Sequence, residues 1–148
     1  MIAVIQRVTK ALVTINGKIH SEIGKGLLIL LGVKSGDNEA QVTYLSKKII
    51  DLRIFSDEQD KMNLSVKDID GEVMVISQFT LCADNGKSGN RPSFVQAEKP
   101  ERANALYEKM ISEMKIMYKE TKIKSGVFAA DMKVELLNDG PVTIILER

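Results

Sequence analysis

The sequence predicts a single layered domain of the α/β or α+β class, built from many strands and two helices. Three observations predict it. Strand-like segments both open and close the chain. Only two stretches carry helical periodicity. And 148 residues with 44% hydrophobic content suit one domain, residues 1–148, around one core. The regular strand–helix alternation of a doubly wound parallel fold is missing.

Met1 to Thr9 and Ala11 to Ile15 read as two strands, with Val4, Val8, Leu12 and Val13 their apolar members. Asn16-Gly17 then gives a hairpin signal, since both residues tolerate positive φ. Gly24 to Val33 is almost continuously apolar, as a strand buried on both faces is. Ser35-Gly36-Asp37 supplies a turn and a helix N-cap. Behind it Val42, Leu45, Ile49 and Leu52 recur at helical spacing along one face. Asp51 to Phe55 leaves that helix for a strand. Ser56 to Gly71 is polar and acidic, a solvated loop. Glu72 to Ser77 is a second buried strand, and 83–92 is a Gly/Asn/Ser-rich loop with Lys87 and Arg91. Pro100 suits the first position of the second helix, whose buried face holds Ala103, Leu106, Met110 and Met114. Lys122 to Phe128, Met132 to Leu137 and Val142 to Glu147 read as three closing strands.

Composition narrows the function. The formal net charge is +1, so any nucleic-acid contact must use local basic patches. Lys115, Lys119, Lys122 and Lys124 against Glu120 form one; Lys87, Arg91, Lys99 and Arg102 against Glu98 and Glu101 form another. Either reads equally as a solvated face. The longest apolar run, Leu27 to Leu31, is far short of a membrane span, and the first residues lack a signal-peptide core. The expectation is a soluble cytoplasmic protein with no membrane partner. The one cysteine, Cys82, reads as a small buried hydrophobe.

Elimination is informative about chemistry. The single histidine, His20, lies near the first hairpin, without a nucleophile elbow or metal-ligand companions. No phosphate-binding glycine loop is present. No metal and no cofactor is expected. Two segments carry uncommon polar content. Ser77-Gln78-Phe79-Thr80-Leu81 follows a core strand, where backbone N–H groups come free and can stabilise an oxyanion. Its hydroxyls would equally satisfy the strand end. Asn138-Asp139-Gly140-Pro141-Val142-Thr143 reads by itself as a β-turn between two strands.

These two segments resemble the signature motifs of the D-aminoacyl-tRNA deacylases. The similarity extends to Ala3-Val4-Ile5-Gln6-Arg7-Val8, Gly24-Lys25-Gly26-Leu27-Leu28, Leu52-Arg53-Ile54-Phe55, Lys61-Met62-Asn63-Leu64-Ser65, Arg91-Pro92-Ser93-Phe94 and Ala130-Asp131-Met132. The ordered set covers nearly the whole chain. The resemblance implies a homodimer of three-layer α/β/β subunits with barrel-like paired sheets and two main helices. It implies hydrolysis of D-aminoacyl-tRNA at its acceptor end, with glycyl-tRNA as an achiral relative, at a site on the dimer interface. Ser77, Gln78 and Phe79 would offer backbone N–H groups to the ester oxygen, with Thr80 beside them as nucleophile or as a structural residue. Gly140-Pro141 would be cis, enter the partner subunit's pocket and exclude L side chains, with Asn138 in the same motif and Arg7 bracing it. Phe128, Met132 and Ala103 would flank the terminal adenosine. The 2′-hydroxyl beside the ester would assist, at high effective molarity.

Two positions depart from the family pattern. Cys82 stands where Tyr is usual, and Ala129 where Gly usually follows Phe128. Two rivals remain at this stage. A non-enzymatic nucleic-acid-binding module is disfavoured by three Tyr, four Phe and no Trp for stacking. A general esterase is disfavoured by the lack of a base.

Overall fold

The structure is a computed structural model, and it describes residues 1–84 and 89–148. Lys87, expected in a basic patch, and part of the 83–92 loop lie outside the described residues. The elements in chain order are β1 (Ile2–Ile15), β2 (Lys18–Ile23), β3 (Gly26–Gly32), α1 (Glu39–Ile50), β4 (Phe55–Ser56), β5 (Met62–Leu64), β6 (Glu72–Ser77), α2 (Pro100–Met117), β7 (Ile123–Ser125) and β8 (Lys133–Glu147). A 3₁₀ turn, Phe79–Cys82, follows β6. No helix among the described residues is long and apolar enough to cross a membrane.

A single α/β domain results, with two helices and a nearly closed, barrel-like sheet in the order β2-β1-β3-β6-β7, β8 pairing with β1. The β3–β6 and β6–β7 pairs are parallel, and β1 runs antiparallel to β2, β3 and β8. β1 is one fourteen-residue strand where two were expected. Its first half pairs with β3 and its second half with β2, while β8 follows it nearly end to end. The Asn16-Gly17 hairpin forms as the dipeptide predicts, with φ of 51° and 75°. Its return strand, β2, was not anticipated, because its Lys, His, Ser and Glu residues break the apolar pattern.

Both faces of β3 and β6 are buried, as their unbroken apolar runs require. Leu27, Ile29, Leu31, Val73 and Val75 face the helices, packing against Val42, Leu45, Ile49, Leu106 and Met110. Leu28, Met74 and Ile76 face the opposite way, onto Val8, Ala11, Val13 and Ile23. Burial of each such aliphatic side chain contributes about 1.5–3 kcal/mol.

Several boundaries shift for local reasons. Asn38, not Ser35-Gly36-Asp37, caps α1: its side chain accepts the Ala40 N–H at 2.9 Å, and the Gln41 side chain accepts the Asn38 N–H at 3.0 Å. Asp37 is buried and accepts the Lys34 N–H at 2.7 Å instead. Leu52 lies beyond the C-cap, Asp51. The strand expected over Asp51–Phe55 is only Phe55–Ser56, paired with β5 inside what read as a loop. The strand expected over Lys122–Phe128 is only Ile123–Ser125. The two last strands are one, β8, and the expected turn between them is a bulge within it.

Candidate active site

The first half-site grows from the end of β6. The last β6–β7 pair is Val75–Ser125, so Ser77 extends past that ladder, half-buried and still paired with Leu31 of β3. The Gln78 N–H donates to the Leu31 carbonyl at 2.7 Å and is thereby withdrawn from the expected donor set. Phe79 opens the 3₁₀ turn, and the first N–H of a helical turn has no intrahelical acceptor. The sequence motif thus resolves into one engaged amide, Gln78, and two at the start of the turn, Phe79 and Thr80, with no acceptor within it; of these two, Phe79 lines the cleft.

These residues border a cleft of about 530 Å³, lined by Ser77, Phe79, Phe94, Ala103, Phe128 and Ala129 among others. The Phe79 and Phe94 rings meet edge to face, centroids 5.0 Å apart. Phe128 leans on Tyr107 at 6.1 Å. The buried Tyr107 hydroxyl donates toward the Val75 and Gly126 carbonyls at 2.8 and 3.2 Å, tying α2 to the segment that carries Phe128. Burial pushes that hydroxyl's pKa up, so it stays a donor. Ala129 sits at φ 60°, a left-handed conformation that suits glycine better. The start of α2 adds Lys99 and Pro100, with Glu98 beside them. The Lys99 N–H holds the Glu98 carboxyl below its usual pKa.

The second half-site is the β8 bulge. Between the pairs Gln6–Thr143 and Val8–Asn138, Arg7 alone faces Asp139, Gly140, Pro141 and Val142. The Asn138 side chain closes the base: its oxygen accepts the Val142 N–H at 3.1 Å. Arg7 braces the loop. Its Nε donates to the Asp139 carbonyl at 3.0 Å and lies 3.3 Å from Oδ2, while Nη1 donates to the Ile54 carbonyl at 2.7 Å. Gly140 and Pro141 are exposed, and the peptide between them is cis. Gly140 has φ 128°, and a Cβ there would lie 2.8 Å from Val142 Cγ2 and 3.1 Å from Arg7 Nη2. Glycine is required by conformation and by space together.

The structure therefore brings the expected residues together as two groups. Ser77, Phe79, Ala103 and Phe128 share the cleft; Arg7, Asn138, Gly140 and Pro141 share the bulge, and no bulge residue lines the cleft. Gln78 and Thr80 stand beside the cleft without lining it. Met132 packs against the second core cluster, its sulfur under Gly126, and lies off the cleft wall. His20 is exposed on β2. Of the basic residues, Lys119 and Lys122 are tied to Asp70 at 2.8 and 3.5 Å, at the end of α2 remote from the cleft. Sequence reasoning gave no role to Phe94, Glu98 or Tyr107. Phe94 had a signal in the Arg91-Pro92-Ser93-Phe94 resemblance, and Tyr107 in its place four residues after Ala103 on the buried helix face.

A family model described as D-Tyr-tRNA(Tyr) deacylase matches residues 4–147. The chain belongs to that family. Its members are hydrolases of the ester that joins an amino acid to tRNA. D-aminoacyl-tRNA deacylases of Flavobacterium psychrophilum and Sulfurihydrogenibium are 54% and 55% identical over 147 residues, covering 99% of this chain and 97% of each relative. That of Pelobacter propionicus is 51% identical over the full length of both. Among solved structures, one described as a c-Myc DNA unwinding element binding protein superposes with a TM-score of 0.94 at 41% identity, covering 100% of this chain and 99% of that one. Another, described as a probable eukaryotic D-amino acid tRNA deacylase, gives 0.81 at 13% identity over 98% and 97%, a likeness of fold alone.

Proposed function

We propose that the protein is a chiral proofreading enzyme that hydrolyses D-aminoacyl-tRNA to free D-amino acid and tRNA, acting in the cytoplasm as a homodimer of three-layer subunits. One observation carries the reading: the cleft and the bulge lie on one chain yet share no lining residue. The exposed Gly140 and Pro141 are then free to complete the cleft of a second copy. Leu136, Leu137 and Ile145 are exposed apolar residues on the same edge strand, β8, which favours a covered surface there.

In this reading the terminal adenosine occupies the apolar cleft against Phe128 and Ala103. The ester carbonyl lies at the Phe79 N–H, with Ser77 beside it. Preorganised N–H donors at such a position stabilise the developing oxyanion. The bulge supplied by the partner subunit leaves room for the α-hydrogen but not for an L side chain. Rejection comes from exclusion, so glycyl-tRNA, with no side chain, passes. The adjacent ribose 2′-hydroxyl assists the attack, and Thr80 is structural. Lys99, in the cleft lining beside Glu98, offers its charge to the tRNA backbone.

The test is deacylation of paired D-tyrosyl-tRNA and L-tyrosyl-tRNA with EDTA present. Loss of the D ester alone is expected. A Thr80→Ala variant keeps turnover, whereas a substrate ending in 2′-deoxyadenosine loses most of it. If Thr80→Ala abolishes turnover with binding intact, the threonine is the nucleophile. The DNA-binding description of the 41% identical structure favours a second reading, a nucleic-acid-binding module. Tight binding of uncharged tRNA or DNA without turnover would support it.

A further inference from the structure

Two of the sequence segments that match the family, Leu52-Arg53-Ile54-Phe55 and Lys61-Met62-Asn63-Leu64-Ser65, lie outside both half-sites. They form the β4–β5 hairpin, and its outer side is closed by a chain of hydrogen bonds. Arg53 grips Asn63 with two arms: Nε donates to the Asn63 carbonyl at 2.6 Å and Nη2 to Oδ1 at 3.0 Å. Asn63 Nδ2 donates in turn to Asp57 Oδ2 at 2.6 Å. Asp57 Oδ1 accepts the N–H groups of Gln59 and Lys61 at 2.8 and 3.0 Å, fixing the hairpin tip. Every polar atom of the Asn63 side chain is thus engaged.

The clasp adjoins one functional atom. The Ile54 carbonyl, next in sequence to Arg53, accepts the Arg7 Nη1–H at 2.7 Å. The other side of the same guanidinium holds Asp139 and lies 3.1 Å from where a Gly140 Cβ would be. Ile54 and Phe55 anchor the segment inward, into the core. The Arg53–Asn63–Asp57 chain fixes it from the solvent side.

We infer that Arg53, Asn63 and Asp57 are positioning residues for chiral discrimination. They fix the Ile54 carbonyl, which sets Arg7, which holds the Gly140-Pro141 bulge at the depth that excludes L side chains. The inference rests on the proposed role of the bulge. Loosening the clasp lets the bulge retreat: hydrolysis of L esters rises while that of D esters is largely retained.

The experiment compares kcat/KM for D- and L-tyrosyl-tRNA in the unaltered protein and in Asn63→Ala, Arg53→Lys and Gly140→Ala, with a thermal midpoint for each. Arg53→Lys keeps the charge and removes the two-armed grip. Both clasp variants are expected to lower the D-over-L ratio by about threefold to thirtyfold, the range for residues that act through others. Their midpoints should shift by no more than about 2 °C, as for other surface changes. An unchanged ratio in both clasp variants, with the ratio collapsed in Gly140→Ala, overturns the inference and spares the bulge. So does a fall in midpoint and D turnover at constant ratio, which marks a structural role. An unchanged ratio in Gly140→Ala overturns the reading of the bulge and the inference with it.

Discussion

At Phe79 the proposed oxyanion donor is a backbone N–H, which makes it separable from the side chain. Phe79→Ala removes the ring that meets Phe94 but keeps the N–H. Phe79→Pro removes both, at a first-turn position where proline is tolerated; Gln78 before it is already extended at φ −143°, ψ 84°. Phe79→Pro should lower kcat by about 10²–10³, the usual effect of deleting an oxyanion donor. Phe79→Ala should cost much less, and equal losses would place the effect in the ring. Ala129 offers a second single-residue test. Its φ of 60° strains an alanine, so Ala129→Gly should raise stability by about 0.5–1 kcal/mol, read as a higher urea midpoint at unchanged slope. A lower midpoint would mean that its methyl contact in the cleft outweighs the backbone relief.

At the scale of elements, the sequence was legible wherever local rules agreed with tertiary context. The apolar runs of β3 and β6, the periodic faces of α1 and α2, Pro100 and the Asn16-Gly17 hairpin formed where the patterns put them. The misreadings share a cause. Asn-Asp-Gly-Pro signals a turn, but here pairing with β1 on both sides keeps β8 one strand and expels the tetrapeptide as a bulge. β2 was hidden because a strand exposed on one face carries no continuous apolar signal. The Ser77–Thr80 motif was visible as polar content at a strand end. Which of its amides stays free was not, because the Leu31 acceptor comes from another strand. Phe94 and the Arg53–Asn63 grip are likewise long-range facts, set by which loops the fold brings side by side.

For the whole molecule, charge and assembly make separate predictions. Asp57, Asp68 and Asp70 are held below the ordinary aspartate pKa of 3.8, by Asn63, by the Ser65 N–H and by Lys119 respectively. A carboxylate whose pKa is depressed by folding contributes stability that is present above its unfolded value and lost as pH falls through its folded one. The urea midpoint should therefore hold from neutrality to about pH 5 and begin to fall only below about pH 4. A fall beginning near pH 6 would point to some other group. Assembly is the larger claim, since it joins two half-sites that one chain keeps apart. The decisive measurement mixes Gly140→Ala subunits, whose altered bulge admits L esters, with an equal amount of Phe79→Pro subunits, which lack the cleft's donor but keep the bulge, and follows L-tyrosyl-tRNA hydrolysis after subunit exchange. In a twofold dimer half of the Gly140→Ala clefts then meet an intact bulge from the partner subunit, so L hydrolysis should fall to roughly half that of the same amount of Gly140→Ala protein alone. L hydrolysis that stays unchanged on mixing would contradict a site shared between subunits.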